Sequence, residues 1–206
     1  MTQKTDLAVD RPKRPRNAAA TREAILRSAL TAFTRCGYDR VGVREIAQMA
    51  GVTGVLVNRY FGSKEELFAA TVEVVFADNK MFDSDSTTLA KRLAAKIMSK
   101  TEPIDPLLLI LRSAPTPRAA EILRESIARH FERPLKASLP GPKASERAAM
   151  ILALVVGFQL FRTVIGSKAL AHASRASLSR HLSTTLQGLI DSPSTGAARI
   201  RRSRVN

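Results

Sequence analysis

Five side chains able to meet a nucleic acid fall within twelve residues. From Thr53 to Lys64 the chain reads TGVLVNRYFGSK. It supplies a hydroxyl at Thr53, an amide at Asn58, a guanidinium at Arg59, a phenol at Tyr60 and an ammonium at Lys64. An arginine holds guanine O6 and N7 with two bonds, and an asparagine holds adenine N6 and N7 likewise. Arg59 and Asn58 are therefore the candidates for reading bases, with a phosphate contact or a solvated face as the alternative for Arg59. Val55 or Leu56 can touch a thymine methyl, because Val57 and Phe61 already fill the packing face. Thr53, Tyr60 and Lys64 carry donors suited to phosphate oxygens, and Arg44 adds another from upstream. Gly54 has no side chain, so a backbone N–H there can approach a phosphate closely.

Such residues need a small helix held out from the surface, and the flanking sequence provides one. Val43, Ile46, Ala47 and Ala50 are spaced as one face of a helix. Gly51 can take the left-handed backbone that ends it, and Thr53 can cap the next helix with its hydroxyl. Val57 and Phe61 share a face that packs back on Ile46, which leaves the polar residues outward. This is a helix–turn–helix, whose second helix enters the DNA major groove. A preceding helix is expected from Thr21, with Ile25, Ala29, Ala32 and Phe33 as its buried stripe, closed by Gly37. Tyr38 packs across that junction. Ser63 and Glu66 form a capping box for a fourth helix that runs to about Met81.

Thr21 to Phe68, TREAILRSALTAF…GYDRVGVREIAQMAGVTGVLVNRYFGSKEELF, resembles the TetR-like transcriptional repressors. The first helix, the Gly-Tyr-Asp turn, REIA, AGVT and YFGSKEEL occur in family order. Thr53, Tyr60 and Lys64 match phosphate-contacting positions of that family. The sequence departs from it at Gly54-Val55-Leu56, where a basic residue and Gly-Thr are common. It departs again at Asn58 and Arg59, where aromatics are common, and at Gly42, which replaces a Ser/Thr cap. These departures imply a target site different from those of better-known members. The resemblance also implies a homodimer joined by the last two long helices, here 144–167 and 174–190. It implies a pocket for a small apolar ligand in the body. Phe76, Met81, Phe82, Met98, Leu108, Phe158 and Phe161 are its candidate lining, and Gln159 or Arg162 its polar contact. Ordinary core packing is the alternative for each.

Composition agrees with a polyanion partner. The formal net charge is +15, from 33 Lys+Arg against 18 Asp+Glu. Residues 1–64 hold 12 Lys/Arg against 5 Asp/Glu, whereas residues 65–191 hold 17 against 13. The excess thus sits on the helix–turn–helix end and on a tail ending RIRRSR. The expected organisation is all-α: a flexible basic arm over 1–20, a DNA-binding domain over 21–67, a helical regulatory and dimerisation domain over 68–191, and a basic tail over 192–206. The arm's RPKRPR either reaches an adjacent minor groove or stays solvated.

Other chemistry has little support. Cys36 is the only cysteine, which excludes an intrachain disulfide and fits a reducing cytoplasm. The N-terminus lacks the apolar core of a signal peptide. The apolar run Ala148–Leu160 is short for a membrane span and reads as a buried helix. His130, His172 and His181 have no metal-pair spacing, so no metal or cofactor is expected. No nucleophile elbow, phosphate loop, dinucleotide fingerprint or zinc-protease motif occurs, so no catalytic residue is assigned. A low-specificity architectural DNA-coating protein and a helical small-molecule carrier are the competing readings.

Overall fold

A computed structural model describes residues 15–77, 86–99 and 106–191. Met81, Phe82, residues 1–14 of the basic arm and the tail from 192 lie outside the described residues. All regular structure among the described residues is helical. The first helix, α1 (Pro15–Cys36), begins six residues earlier than Thr21. Proline suits a first turn, where its missing N–H has no intrahelical partner, and Ala18–Ala20 favour helix. Then come α2 (Val43–Met49), α3 (Gly54–Phe61) and α4 (Lys64–Ala77).

The body continues as α5 (Ser86–Met98), α6 (Pro106–Ser113) and α7 (Pro117–Ile127). Sequence spacing predicts that α7 stops near Pro134. Instead a π-helical turn, Ala128–Glu132, leads straight into α8 (Arg133–Ser138). Proline removes a backbone donor, and the wider turn just before it accommodates that loss within a continuous rod. The LPGP break follows, with Gly141 at φ +75°. α9 (Ala144–Gln159) and a second π turn, Leu160–Val164, come next. A short α10 (Lys168–His172) and the long α11 (Arg175–Asp191) complete the order. α10 has no signal in the sequence beyond Gly166, whose φ of +69° ends the preceding rod.

Two apolar cores form. The first joins Ile25, Phe33, Ile46, Val57 and Phe68 to Leu109 and Leu123, so α6 and α7 pack directly onto the first four helices. The second joins Leu93, Leu135, Ile151 and Leu186 from α5, α8, α9 and α11. Phe131, on the π turn after α7, packs against both. Arg147 binds the second core together. Its guanidinium donates to the carbonyls of Ile190 at 2.7 Å and Leu189 at 3.3 Å, and to that of Pro140. These bonds satisfy the last carbonyls of α11, and the cation opposes the negative end of that helix.

The expectation that 148–160 forms a buried helix needs correction. With its π turn, the helix Ala144–Val164 is 21 residues long and apolar enough to cross a membrane by length and composition, yet only 17% of its apolar window is buried. Met150, Val156, Phe161 and Val164 are exposed. One face packs on the body through Arg147, Ala148 and Ile151. Among the described residues the opposite face has too few neighbouring elements to cover it.

Candidate nucleic-acid interface

The turn between α2 and α3 follows from local hydrogen bonding. Gly51 sits at φ +68°, and its N–H donates to Gln48 O at 3.1 Å. The Val52 N–H reaches back to Ala47 O at 2.9 Å. This pair of bonds closes a helix through one left-handed residue, which glycine adopts without a Cβ penalty. The Thr53 hydroxyl then accepts from Leu56 N at 3.3 Å, which caps α3 as its sequence position predicts. Gly42 precedes α2 without a side-chain cap.

Packing fixes which face of α3 looks outward. Val57 and Phe61 are 1% and 8% exposed and lie in the first core. At 100° per residue, Val55 and Arg59 point the opposite way, with Asn58 and Leu56 flanking them. Val55 is 80% exposed, too much for a residue that packs under its helix. Asn58 and Arg59 are exposed, while Leu56 and Tyr60 are partly covered. A Cβ built on Gly54 would meet Arg44 Cγ at 3.8 Å, so the exposed Arg44 lies against the N-terminus of α3. The helix's positive end and a guanidinium thus share one corner, a favourable place for a phosphate.

The start of α4 braces this head. Ser63 N–H donates to Glu66 Oε2 at 2.9 Å and Glu66 N–H to Ser63 Oγ at 3.1 Å, the reciprocal capping box. Lys64 Nζ lies 4.3 Å from the Tyr38 ring centroid. The buried Tyr38 stacks on Phe33 and meets Phe68 edge-on, and its hydroxyl donates to Glu65 Oε1 at 2.8 Å. Burial first, and then the Glu65 carboxylate, push the Tyr38 phenol far above its ordinary range. Glu65 is held below its usual value by backbone N–H donation at the helix start, then by the Tyr38 hydroxyl. Tyr38 therefore stays neutral and locks α1 to α4.

One residue escaped the sequence reading. The exposed Arg22 of α1 lies over the Phe61 ring at 5.0 Å, beside the reading helix. Its distance from Phe61 along the chain hides the contact, and only the packing angle of α1 on α3 creates it.

The candidate ligand residues do not gather in one place. Phe76 is packed in the first core, edge-on to Phe131 at 5.0 Å and to His130 at 6.3 Å. Met98 lies in the second core and Phe158 against it. Arg162 donates to Ile97 O at 3.1 Å and touches Met98 Sδ at 3.6 Å, and the Gln159 Oε1 atom is buried with no hydrogen-bond partner. Leu108 is on α6, half-buried, and Phe161 is 55% exposed. Among the described residues no group of three or more His, Cys, Asp or Glu could hold a metal ion.

Comparison with known proteins agrees with this architecture. Residues 25–71 match the family model for bacterial regulatory proteins of the tetR family, and residues 87–190 match that for the tetracyclin repressor-like C-terminal domain. The transcriptional regulator RutR of Escherichia coli K12 is 35% identical over 82 residues, 38% of this chain and 39% of RutR. The transcriptional repressor NicS of Pseudomonas putida is 33% identical over 64 residues, 31% of this chain and 30% of NicS. The chain thus matches about two-fifths of the length of RutR. The structure of a TetR-family regulator from Streptomyces coelicolor A3 aligns with a TM-score of 0.60 at 26% identity, covering 87% of this chain and 99% of that one. Salmonella enterica GusR aligns with a TM-score of 0.68 at 19% identity, covering 88% and 99%, a likeness of fold alone.

Proposed function

Because the chain belongs to the tetR family of bacterial regulatory proteins, we propose that it is a sequence-specific, DNA-binding transcriptional repressor with α3 as its reading helix. The observation that carries this reading is the exposed Val55–Arg59 face of α3, opposite a fully buried Val57 and beside the Thr53 cap. Arg59 and Asn58 read bases, and Val55 or Leu56 contacts a methyl group. Thr53, Gly54, Tyr60, Lys64 and Arg44 hold phosphates, and Arg22 extends that set. The domains divide as a reading head over 21–67 and a regulatory body over 68–191. No residue takes a catalytic role, and the single cysteine suits a cytoplasmic protein.

The working form is a homodimer. Met150, Ala153, Val156, Gly157, Leu160 and Val164 recur along one side of α9 and the π turn that follows it, and a Cβ on Gly157 would meet nothing within 4 Å. An apolar stripe with a glycine at its centre suits close approach of a partner helix, and α11 completes the interface. One small helix touches too few bases for useful specificity, so two heads on a two-fold operator follow.

A small, largely apolar effector releases the dimer from DNA. Support comes from Arg162, which joins the π turn after α9 to the end of α5 through Ile97 O and Met98 Sδ, and from the unpartnered Gln159 oxygen at the end of α9. α4 carries the signal because it begins beside α3 and runs into the body through Phe68, Val72 and Phe76. The effector must bind the DNA-incompetent state more tightly, and operator must weaken effector binding by the same factor.

Selecting duplexes from a random pool with purified protein tests the reading. Recovery of a two-fold-symmetric site with half-site centres about 34–36 Å apart or longer supports it. Uniform binding to all duplexes with a steep salt dependence would instead establish the architectural alternative.

A further inference from the structure

A second cleft, outside both the reading face and the effector region, has the chemistry of an anion site. It measures about 580 Å³ and lies where the end of α1, the turn before α2, the end of α6 and the start of α7 meet. Arg35, Arg40 and Arg112 line it, against one carboxylate, Asp39. None of these four residues forms an ion pair among the described residues. Elsewhere on the surface, Arg27, Arg118 and Arg129 do have carboxylate partners. With one carboxylate against three arginines, the hollow keeps a net positive charge that an anion relieves.

The cleft is also built rigidly. Arg112 NH1 donates to Thr34 O at 2.6 Å and Arg35 O at 2.8 Å, which closes the last turn of α1. A Cβ on Gly37 would lie 2.2 Å from the Arg112 carbonyl oxygen, so the two helix ends touch backbone to backbone. That junction anchors the base of Arg112 while its other guanidine nitrogens carry no hydrogen bond among the described residues. Opposite, Thr116 precedes α7 without a side-chain cap bond, and Pro117 follows it. The first N–H groups of α7 thus have no capping hydroxyl from Thr116. Leu111 and Pro115 supply apolar wall.

We propose that this cleft binds a small organic carboxylate. Its charged group sits among Arg35, Arg40 and Arg112, and its apolar part rests on Leu111 and Pro115. Paired guanidinium donors suit a planar carboxylate, and the volume is that of small-molecule sites generally. An occupant would bridge α1 to the α6–α7 junction and so tie the reading head to the body. The proposal stands apart from the DNA-binding reading and does not require it.

Cys36 lines the cleft and is the chain's only cysteine, so it reports occupancy directly. The full-length protein is labelled with the neutral disulfide 4,4′-dithiodipyridine at constant ionic strength while benzoate or phthalate is titrated. Benzyl alcohol and benzyltrimethylammonium serve as neutral and cationic controls. The carboxylates are expected to slow labelling saturably and the controls to leave it unchanged. Arg35→Gln with Arg40→Gln, both at exposed positions, should weaken that protection about tenfold or more. In parallel, amide shifts of Gly37 and Arg112 should saturate at the same concentration. Equal protection by the controls, no saturation, or unchanged protection in the double variant overturns the proposal. So does a double variant that keeps carboxylate protection yet loses duplex affinity, since the arginines would then serve the DNA backbone.

Discussion

Alanine at Arg59 and alanine at Lys64 are expected to fail in different ways. Arg59 is exposed on the outward face of α3 and makes no hydrogen bond or ion pair among the described residues. Its loss should therefore leave stability within about 0.5 kcal/mol. If its guanidinium grips a guanine, the loss costs about 1–3 kcal/mol per half-site. Two half-sites double that to about 2–6 kcal/mol, a drop of about 30-fold to about 10⁴-fold on the operator. Random duplex should hardly notice. Lys64 lies over the Tyr38 ring, so its loss also removes a cation–π contact worth about 0.5–1 kcal/mol of stability. On DNA it gives up one phosphate per chain, which lowers the slope of log affinity against log salt by about 0.9 per chain and weakens all sequences alike. Fluorescence anisotropy of labelled operator and scrambled duplexes across a KCl series separates the two. Equal proportional losses on both duplexes from Arg59→Ala would refute base reading by this residue and leave it a phosphate contact.

Four further outcomes follow from the geometry. Gly42→Ser adds the hydroxyl cap that α2 lacks at an ordinary φ of −95° with open space around it; thermal denaturation should show a gain of about 0.5–1 kcal/mol. Gly37→Ala places a methyl on the Arg112 carbonyl at φ +80°, so urea unfolding should show a loss of at least about 2 kcal/mol. Glu73 is held below its ordinary 4.5 because, although burial pushes it up, hydrogen bonds from His130 and Ser126 and the Arg129 charge outweigh that. A depressed carboxyl contributes stability above its unfolded value and loses it as pH falls through the folded one, so Glu73→Gln should flatten the decline in stability below about pH 4.5. Val156→Glu on the exposed face of α9 should convert the dimer to monomer in sedimentation velocity, and an unchanged dimer would move the interface elsewhere.

What the sequence made legible was mostly local. The Gly51 turn, the Thr53 cap and the Ser63–Glu66 box each depend on residues within about four positions, and their hydrogen bonds match the spacing. The outward face of α3 was legible for the same reason, since Val57 and Phe61 alone define its inside. Continuity through Pro134 was not legible, because the rods joined by the π turn pack into two different cores, a tertiary arrangement with no local signal. The start of α1 at Pro15 was missed because a run of prolines and charges outweighed the alanines that follow.

The body's candidate ligand residues show where sequence reasoning stops. Phe76, Met98 and Phe158 are all apolar and all helical, yet the first belongs to one core while Met98 and Phe158 pack at the other. Hydrophobicity alone cannot assign a side chain to one core or the other, since burial is non-directional. The polar atoms discriminate better. Glu73 gathers Ser126, Arg129 and His130 at the seam between α4 and the α7 rod, Arg147 gathers three carbonyls at the end of α11, and Gln159 keeps a buried oxygen without a partner. The Glu73 and Arg147 clusters hold elements together, although the Arg147 Nε, like the Gln159 oxygen, is buried without a partner. An unsatisfied buried acceptor costs about 1–3 kcal/mol, and a ligand donor reaching Gln159 would recover it. The place proposed for the effector, the α5–α9 ends, rests on that oxygen rather than on any apolar stripe. A site there could move α4, since Phe131 touches both cores and the Glu73 cluster fastens α4 to the same rod.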